Sequence, residues 1–209
     1  MPQDRLRIRD ELLIAMLPHV PFDGWTDTSV RRGAEEAGID MTQARDAFPG
    51  GAADMVEHFS DWSDRQMLTA LEEMDLPSMR VTERVRTAVK IRLRQAEPHR
   101  EAVQRSLAFL AMPQNALLGA KLLYRTVDAI WHMAGDTATD WNFYSKRGLL
   151  AGVFSATVLY WLNDKSEDYA ETWDFLDRRL RDVATFGKAT GKLKERLKGF
   201  PRPYRPAHR

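Results

Sequence analysis

No stretch of this 209-residue chain sustains the alternation of apolar and polar residues that a half-buried strand requires. Apolar residues instead recur every three or four positions, and proline and glycine fall between such segments. That spacing predicts an all-α fold of about nine helices. Leu6, Leu13, Leu17 and Val20 keep approximate helical period over residues 4–19, where Pro18 and Pro21 mark the end. Thr28 or Ser29 is the expected cap of a short helix closed by Gly38. Asp40 with Gln43 has the spacing of a capping box for another, ended by Pro49-Gly50-Gly51. A long helix follows from about Ala52 to Asp75. Beyond Pro77, Thr82 is the expected cap of a basic helix reaching Glu97, and Pro98 starts a short helix to Met112. Pro113 suits the first turn of a helix running to Met133, residues 142–162 form the next, and Ser166 opens the last. Leu149 to Leu162 is apolar apart from Ser155, Thr157 and the polar tips of Tyr160 and Trp161. Its length of roughly 21 Å falls short of the ~30 Å hydrocarbon core of a bilayer, so it reads as a buried core helix.

Cysteine is absent, which removes disulfide scaffolds, thiolate zinc sites and cysteine nucleophiles together. The sequence also lacks HExxH, a Glu-x-x-His pair of the di-iron kind, a phosphate-binding P-loop and a GxSxG elbow. The expectation is therefore a protein that is not an enzyme and holds neither a metal nor a catalytic cofactor. The first twenty residues carry charges and no long apolar run, so neither a signal peptide nor a membrane span is expected. A bacterial-type cytoplasmic location fits that reading.

The formal net charge of +1 conceals an uneven distribution. Residues 1–60 hold six basic and eleven acidic side chains, whereas the segment from Gly187 to the end carries a net +7. The first sixty residues also run as a helix, a Gly24-Trp25 turn, two short helices and a long helix entered through Phe48-Pro49-Gly50-Gly51. This order resembles the N-terminal region of TetR-type regulators, where it forms a helix-turn-helix. A DNA-reading second helix needs cations and donors for phosphates and base edges. Here it reads Met41-Thr42-Gln43-Ala44-Arg45-Asp46-Ala47-Phe48, with Arg45 as its single cation. A module of net −5 begins repelled by DNA, so no nucleic-acid partner is expected. A ligand-responsive TetR-like regulator stays open as an alternative.

The stretch from Asp128 to Arg147 ends one helix, crosses a loop with Gly135, Asp136 and Asp140, and opens another with Trp141, Phe143 and Tyr144. Clustered aromatics of this kind suit a contact surface. They either meet a partner or close the interface of a dimer of this chain. Lys121, Arg125, Asp128 and His132 form one polar helical stripe; Lys121 and Arg125 read as a solvated face, whereas Asp128 and His132 belong to the aromatic motif. The basic helix over 82–97 reads as a solvent face with an apolar seam of Val85, Val89 and Leu93.

Taken together, these motifs resemble the ubiquinone-biosynthesis accessory proteins, a TetR-like family of lipid-binding helpers, over roughly residues 5–185. The resemblance rests on Gly24-Trp25, Phe48-Pro49, Met112-Pro113-Gln114-Asn115 and Asp128-x-x-Trp131-His132-x-Ala134-Gly135-Asp136. It extends through Thr139-Asp140-Trp141-Asn142-Phe143-Tyr144 and Thr172-Trp173-x-Phe175-Leu176. It implies a homodimer that binds an isoprenoid quinone intermediate or other lipid and helps present it to the demethoxyubiquinone hydroxylase. On that basis residues 1–60 form a degenerate helix-turn-helix-like module, and residues 61–186 a lipid-binding and dimerisation domain compact with it. Residues 187–209 form a basic tail. In that tail Leu193, Leu197 and Phe200 make a short apolar stripe suited to peripheral membrane contact, and the bland reading is a solvated charged tail. The partner contacts implied are Asp128, Ile130, Asp140, Phe143 and Tyr144, with Ile130 and Phe143 replacing a Met and a Trp of relatives. Leu107, Leu110, Met112, Leu122, Trp131, Leu150, Phe154, Val158 and Trp161 are the expected lipid-binding residues on that basis; periodicity alone does not separate a pocket wall from a filled core, which is the commoner outcome.

Overall fold

The computed structural model describes residues 2–135 and 141–183, with side chains described over 4–135 and 145–183. Among the described residues there are ten α-helices and no strand. They are α1 (Pro2–Met16), α2 (Val20–Asp23), α3 (Asp27–Ala37), α4 (Met41–Ala47), α5 (Ala52–Glu72), α6 (Val81–Gln95), α7 (Arg100–Leu110), α8 (Ala116–Met133), α9 (Trp141–Trp161) and α10 (170–183). The expected tail, 187–209, lies outside the described residues.

The helix count exceeds the sequence reading because Pro18 and Pro21 do not simply end α1. Pro21 sits at the start of a separate single turn, α2, for which four residues leave no periodicity to read. The α3 cap also shifts. Thr26 occupies the N-cap, and Ser29, three residues into the helix, accepts the Thr26 N–H at 3.2 Å. Asp40 caps α4 as expected, its carboxylate accepting from Thr42 N at 2.8 Å. At α6 the helix starts before Thr82, and Glu83 accepts the Arg80 N–H at 2.9 Å. Gly38 lies in the left-handed region at φ +65°, where a residue without Cβ closes α3 at no steric cost.

Two buried clusters organise these helices. The first joins Leu12, Leu13 and Met16 of α1 with Val30 and Ala34 of α3, Ala44 of α4, and Met55, Val56 and Phe59 of α5. A side chain at Gly33 would stand 2.8 Å from the Met16 backbone nitrogen, so the α1–α3 crossing depends on glycine there. Ala102 of α7 and Leu122 of α8 belong to this cluster too, which ties the first four helices to the rest of the chain. The second cluster joins Met67 and Leu71 of α5 with Val85, Val89 and Leu93 of α6, Val127 and Ile130 of α8, Leu150 and Trp161 of α9, and Leu176 of α10. Arg65 reinforces the junction from outside, its Nη1 and Nη2 donating to the two carboxylate oxygens of Asp10 at 2.9 and 2.6 Å. Lys121 and Arg125 likewise bond Glu57 of α5, so this polar stripe of α8 pairs between helices rather than standing free.

Candidate lipid cavity and docking motif

A cavity of about 400 Å³ lies where the two clusters meet. Val56 and Phe59 of α5, Leu93 of α6, Leu107 and Leu110 of α7, Leu122 and Leu123 of α8, and Phe154 and Val158 of α9 supply its apolar wall. Phe154 and Val158 are four residues apart on one face of α9, and Leu107 and Leu110 three apart on α7, so helical spacing delivers these side chains to one space. The turn between α7 and α8 is held by Asn115 Nδ2, which donates to the Phe109 carbonyl at 2.9 Å. The two helices pack closely at Gly119, where a Cβ would stand in ordinary contact with Leu110 Cβ at 3.5 Å. One rim is open, because Ala111 and Leu159 are exposed while lining it. Its size falls within the range of small-molecule sites and its lining is predominantly apolar, as such sites are.

Part of the lining is polar and buried. Arg92 of α6 and Thr126 of α8 supply it, and both are tied to Asp64 of α5. Arg92 Nε donates to Asp64 Oδ1 at 2.9 Å, and Thr126 Oγ1 donates to Asp64 Oδ2 at 2.8 Å. Ser106, also on the wall, donates to the Ala102 carbonyl at 2.8 Å and so leaves no bare hydroxyl.

Of the side chains expected to contact lipid, Leu107, Leu110, Leu122, Phe154 and Val158 line the cavity. Leu150 and Trp161 instead pack into the second buried cluster. Met112 is exposed just beyond α7. Trp131 packs between α8 and α9, its Nε1 donating to the Lys146 carbonyl at 3.2 Å while the Lys146 ammonium lies 5.6 Å from its ring centre. Val56 and Phe59 of α5 join this wall without a sequence signal for it, and Leu93 of the α6 seam joins them. Arg92 was detectable, because it follows Val85 and Val89 at helical spacing on the seam rather than on the solvent face.

The motif from Asp128 onward begins at the far end of α8. Asp128 accepts from Arg147 Nε at 2.6 Å, joining α8 to α9; the Arg147 side chain is buried and that of Asp128 is 43% exposed. Ile130 requires a correction, because its side chain is 0% exposed within the core and offers nothing to a partner. Gly135 takes φ +84°, and a Cβ there would meet Arg84 Nη1 at 3.0 Å. Arg84 uses that nitrogen to bond the Ala134 carbonyl at 3.1 Å, so one cation of the basic helix secures the end of α8. His132 is exposed. Asp140 and the side chains of Phe143 and Tyr144 lie outside the described residues. No group of three or more His, Cys, Asp or Glu arranged to hold a metal occurs among the described residues, and no described helix is long and apolar enough to cross a membrane.

Comparison with known proteins matches this region to a family. The COQ9 family model matches residues 116–187, which include α8, the motif and α9. The chain is similar to the protein named ubiquinone biosynthesis protein COQ9, mitochondrial, in several animals. It is 34% identical to that of Rattus norvegicus over 195 residues, covering 90% of this chain and 62% of the relative. Against the Homo sapiens protein it is 32% identical over 195 residues, covering 90% and 61%. Against that of Drosophila melanogaster it is 30% identical over 204 residues, covering 96% and 62%. The chain thus spans a little over three-fifths of the length of these relatives. Among solved structures, a TetR transcriptional regulator from Nitrosomonas europaea superposes with a TM-score of 0.69 at 19% identity, covering 85% of this chain and 98% of that one. The fold is therefore all-α and TetR-like.

Proposed function

We propose that this chain, whose residues 116–187 match the COQ9 family model, is a member of that family and serves ubiquinone biosynthesis as a non-catalytic accessory factor. In this reading it holds an isoprenoid quinone intermediate, or another lipid, and presents it to the demethoxyubiquinone hydroxylase. The observation that carries the proposal is the apolar cavity of about 400 Å³ with an open rim. Each methylene moved from water into such a space contributes about 0.8 kcal/mol, so an isoprenoid segment gains affinity without a charged anchor.

Asp128, Asp140, Phe143 and Tyr144 form the proposed contact surface for the hydroxylase. Within the aromatic motif the Asp128–Arg147 pair and the Trp131–Lys146 contact fix α8 against the start of α9. We further propose that the protein is a homodimer and that the basic segment 187–209 touches the membrane holding the lipid. The proposed site of action is the membrane periphery, where the lipid partitions.

The TetR-like fold alone would suit a ligand-responsive DNA binder. The net −5 charge of residues 1–60 and the single cation of α4 weigh against that alternative. Uptake and docking are tested in one assay: the purified chain is loaded with an isoprenoid quinone and used to pull down the hydroxylase. Asp140→Lys and Tyr144→Lys are expected to weaken capture while leaving quinone uptake and the melting temperature unchanged. Unchanged capture contradicts the assigned surface, and absence of uptake contradicts the cavity reading.

A further inference from the structure

A hydrocarbon chain needs no cation, yet the cavity is walled on its buried side by Arg92, which is only 9% exposed. Stability does not account for it, since a buried ion pair replaced by apolar groups of similar volume is often neutral or stabilising. The bonding of the guanidinium is more informative. Nε is spent on Asp64 Oδ1, and Thr126 holds the other Asp64 oxygen, so the guanidinium plane is fixed from behind. An arginine has further N–H donors on Nη1 and Nη2. Among the described residues neither nitrogen meets a protein acceptor, and neither is among the fully enclosed polar atoms left without a partner. Arg92 is buried and lines the cavity, which is the space its free donors are best placed to serve.

Resting on the reading that the cavity holds a lipid, we infer that Arg92 receives an oxygen of the ligand's head group. The ligand class is a long apolar chain ending in an oxygen acceptor of the quinone carbonyl, phenolate or carboxylate kind. The head then lies at the buried floor against Arg92 and Thr126, shielded from water, and the chain runs past Leu122 and Val158 towards the open rim at Leu159. A charge-assisted hydrogen bond in such a place is among the stronger ones, so it discriminates between ligands by about tenfold or more.

Two probes separate head from tail: a decyl-substituted benzoquinone, and decylbenzene, which keeps chain and ring without oxygens. The delipidated full chain is expected to bind the quinone at least about tenfold more tightly than decylbenzene. Removing Arg92 alone strands Asp64, so the informative variant is Arg92→Met with Asp64→Leu, which replaces the pair by apolar side chains. It is expected to bind the two probes about equally and to keep its affinity for decylbenzene. A quinone preference that survives in this variant overturns the assignment of Arg92 while leaving the lipid cavity intact. Failure of the unaltered chain to bind either probe overturns the cavity reading and the inference with it. Should the double variant not fold, the infrared carbonyl stretch of the quinone bound to the unaltered chain decides. A shift to lower frequency than in hydrocarbon solvent is expected, and a hydrocarbon-like position overturns the proposal.

Discussion

Val153 and Val158 offer a controlled test of whether the space between the helices is a true void. Both lie on α9, both are valine, and their exposures are 6% and 7%. Val158 lines the cavity, whereas Val153 packs only into the second buried cluster. Replacement by Phe adds the same atoms at each site. At Val153 the ring has nowhere to go without displacing packed neighbours, and overpacking of that kind costs about 1–3 kcal/mol. For a domain of this size each kcal/mol moves the melting temperature by about 2–4 °C, so Val153→Phe is expected to lower it by about 2–12 °C. At Val158 the ring enters a space of about 400 Å³. Its cost is expected to stay below about 1 kcal/mol, less than about 4 °C. Calorimetry of delipidated protein reads both values, and uptake of an isoprenoid quinone is expected to weaken only for Val158→Phe. Equal destabilisation by the two substitutions, with uptake unchanged, would refute the argument that α9 faces a ligand cavity on one side and a filled core on the other.

The remaining predictions concern what holds the site in place. Gly33→Ala forces a methyl to within 2.8 Å of the Met16 backbone and is expected to cost about 1–3 kcal/mol, read as a drop of about 2–12 °C in melting temperature. Asp164, in the turn leading into α10, is drawn upward by burial. Hydrogen bonds from the Ser166 and Thr172 hydroxyls and N–H groups outweigh that effect and leave its pKa at about 2. Because the folded value is depressed below the ordinary carboxylate value of about 3.9, its contribution is present above about pH 4 and lost as pH falls through about 2. Asp164→Ala is expected to cost about 1–2 kcal/mol at neutral pH and to flatten the loss of stability between about pH 4 and 2 in acid titrations followed by circular dichroism.

Local chemistry made most of the helices legible in the sequence. Proline and glycine stop helices where they stand, and Asp40 caps the helix it precedes. The α2 turn was illegible because Val20-Pro21-Phe22-Asp23 is too short to show a period, and Thr26 lost the cap assignment to neighbours of equal capping strength. The site was harder to read. Leu150, Phe154, Val158 and Trp161 share a helical face, yet only the middle two reach the cavity, because that choice depends on α5 and α7, distant in sequence. Ile130 was placed on the partner surface by its position in the motif. In the structure it lies four residues beyond Thr126 and eight beyond Leu122, on the buried face of α8 that helical spacing gives those three positions. Arg92 follows Val85 and Val89 on the seam of α6, yet what holds it there, Asp64 of α5, is distant in sequence and brought to it only by the fold.

The central claim is that a lipid occupies the cavity at the junction of α5, α6, α7, α8 and α9, and native mass spectrometry of the full chain purified without detergent tests it most directly. The expected result is an added mass of one lipid per chain, identified by extraction as bearing an isoprenoid tail, and largely lost from Val158→Trp under the same purification. A chain that carries no lipid and takes up no added isoprenoid quinone, or a Val158→Trp variant that carries as much as the unaltered protein, would contradict it.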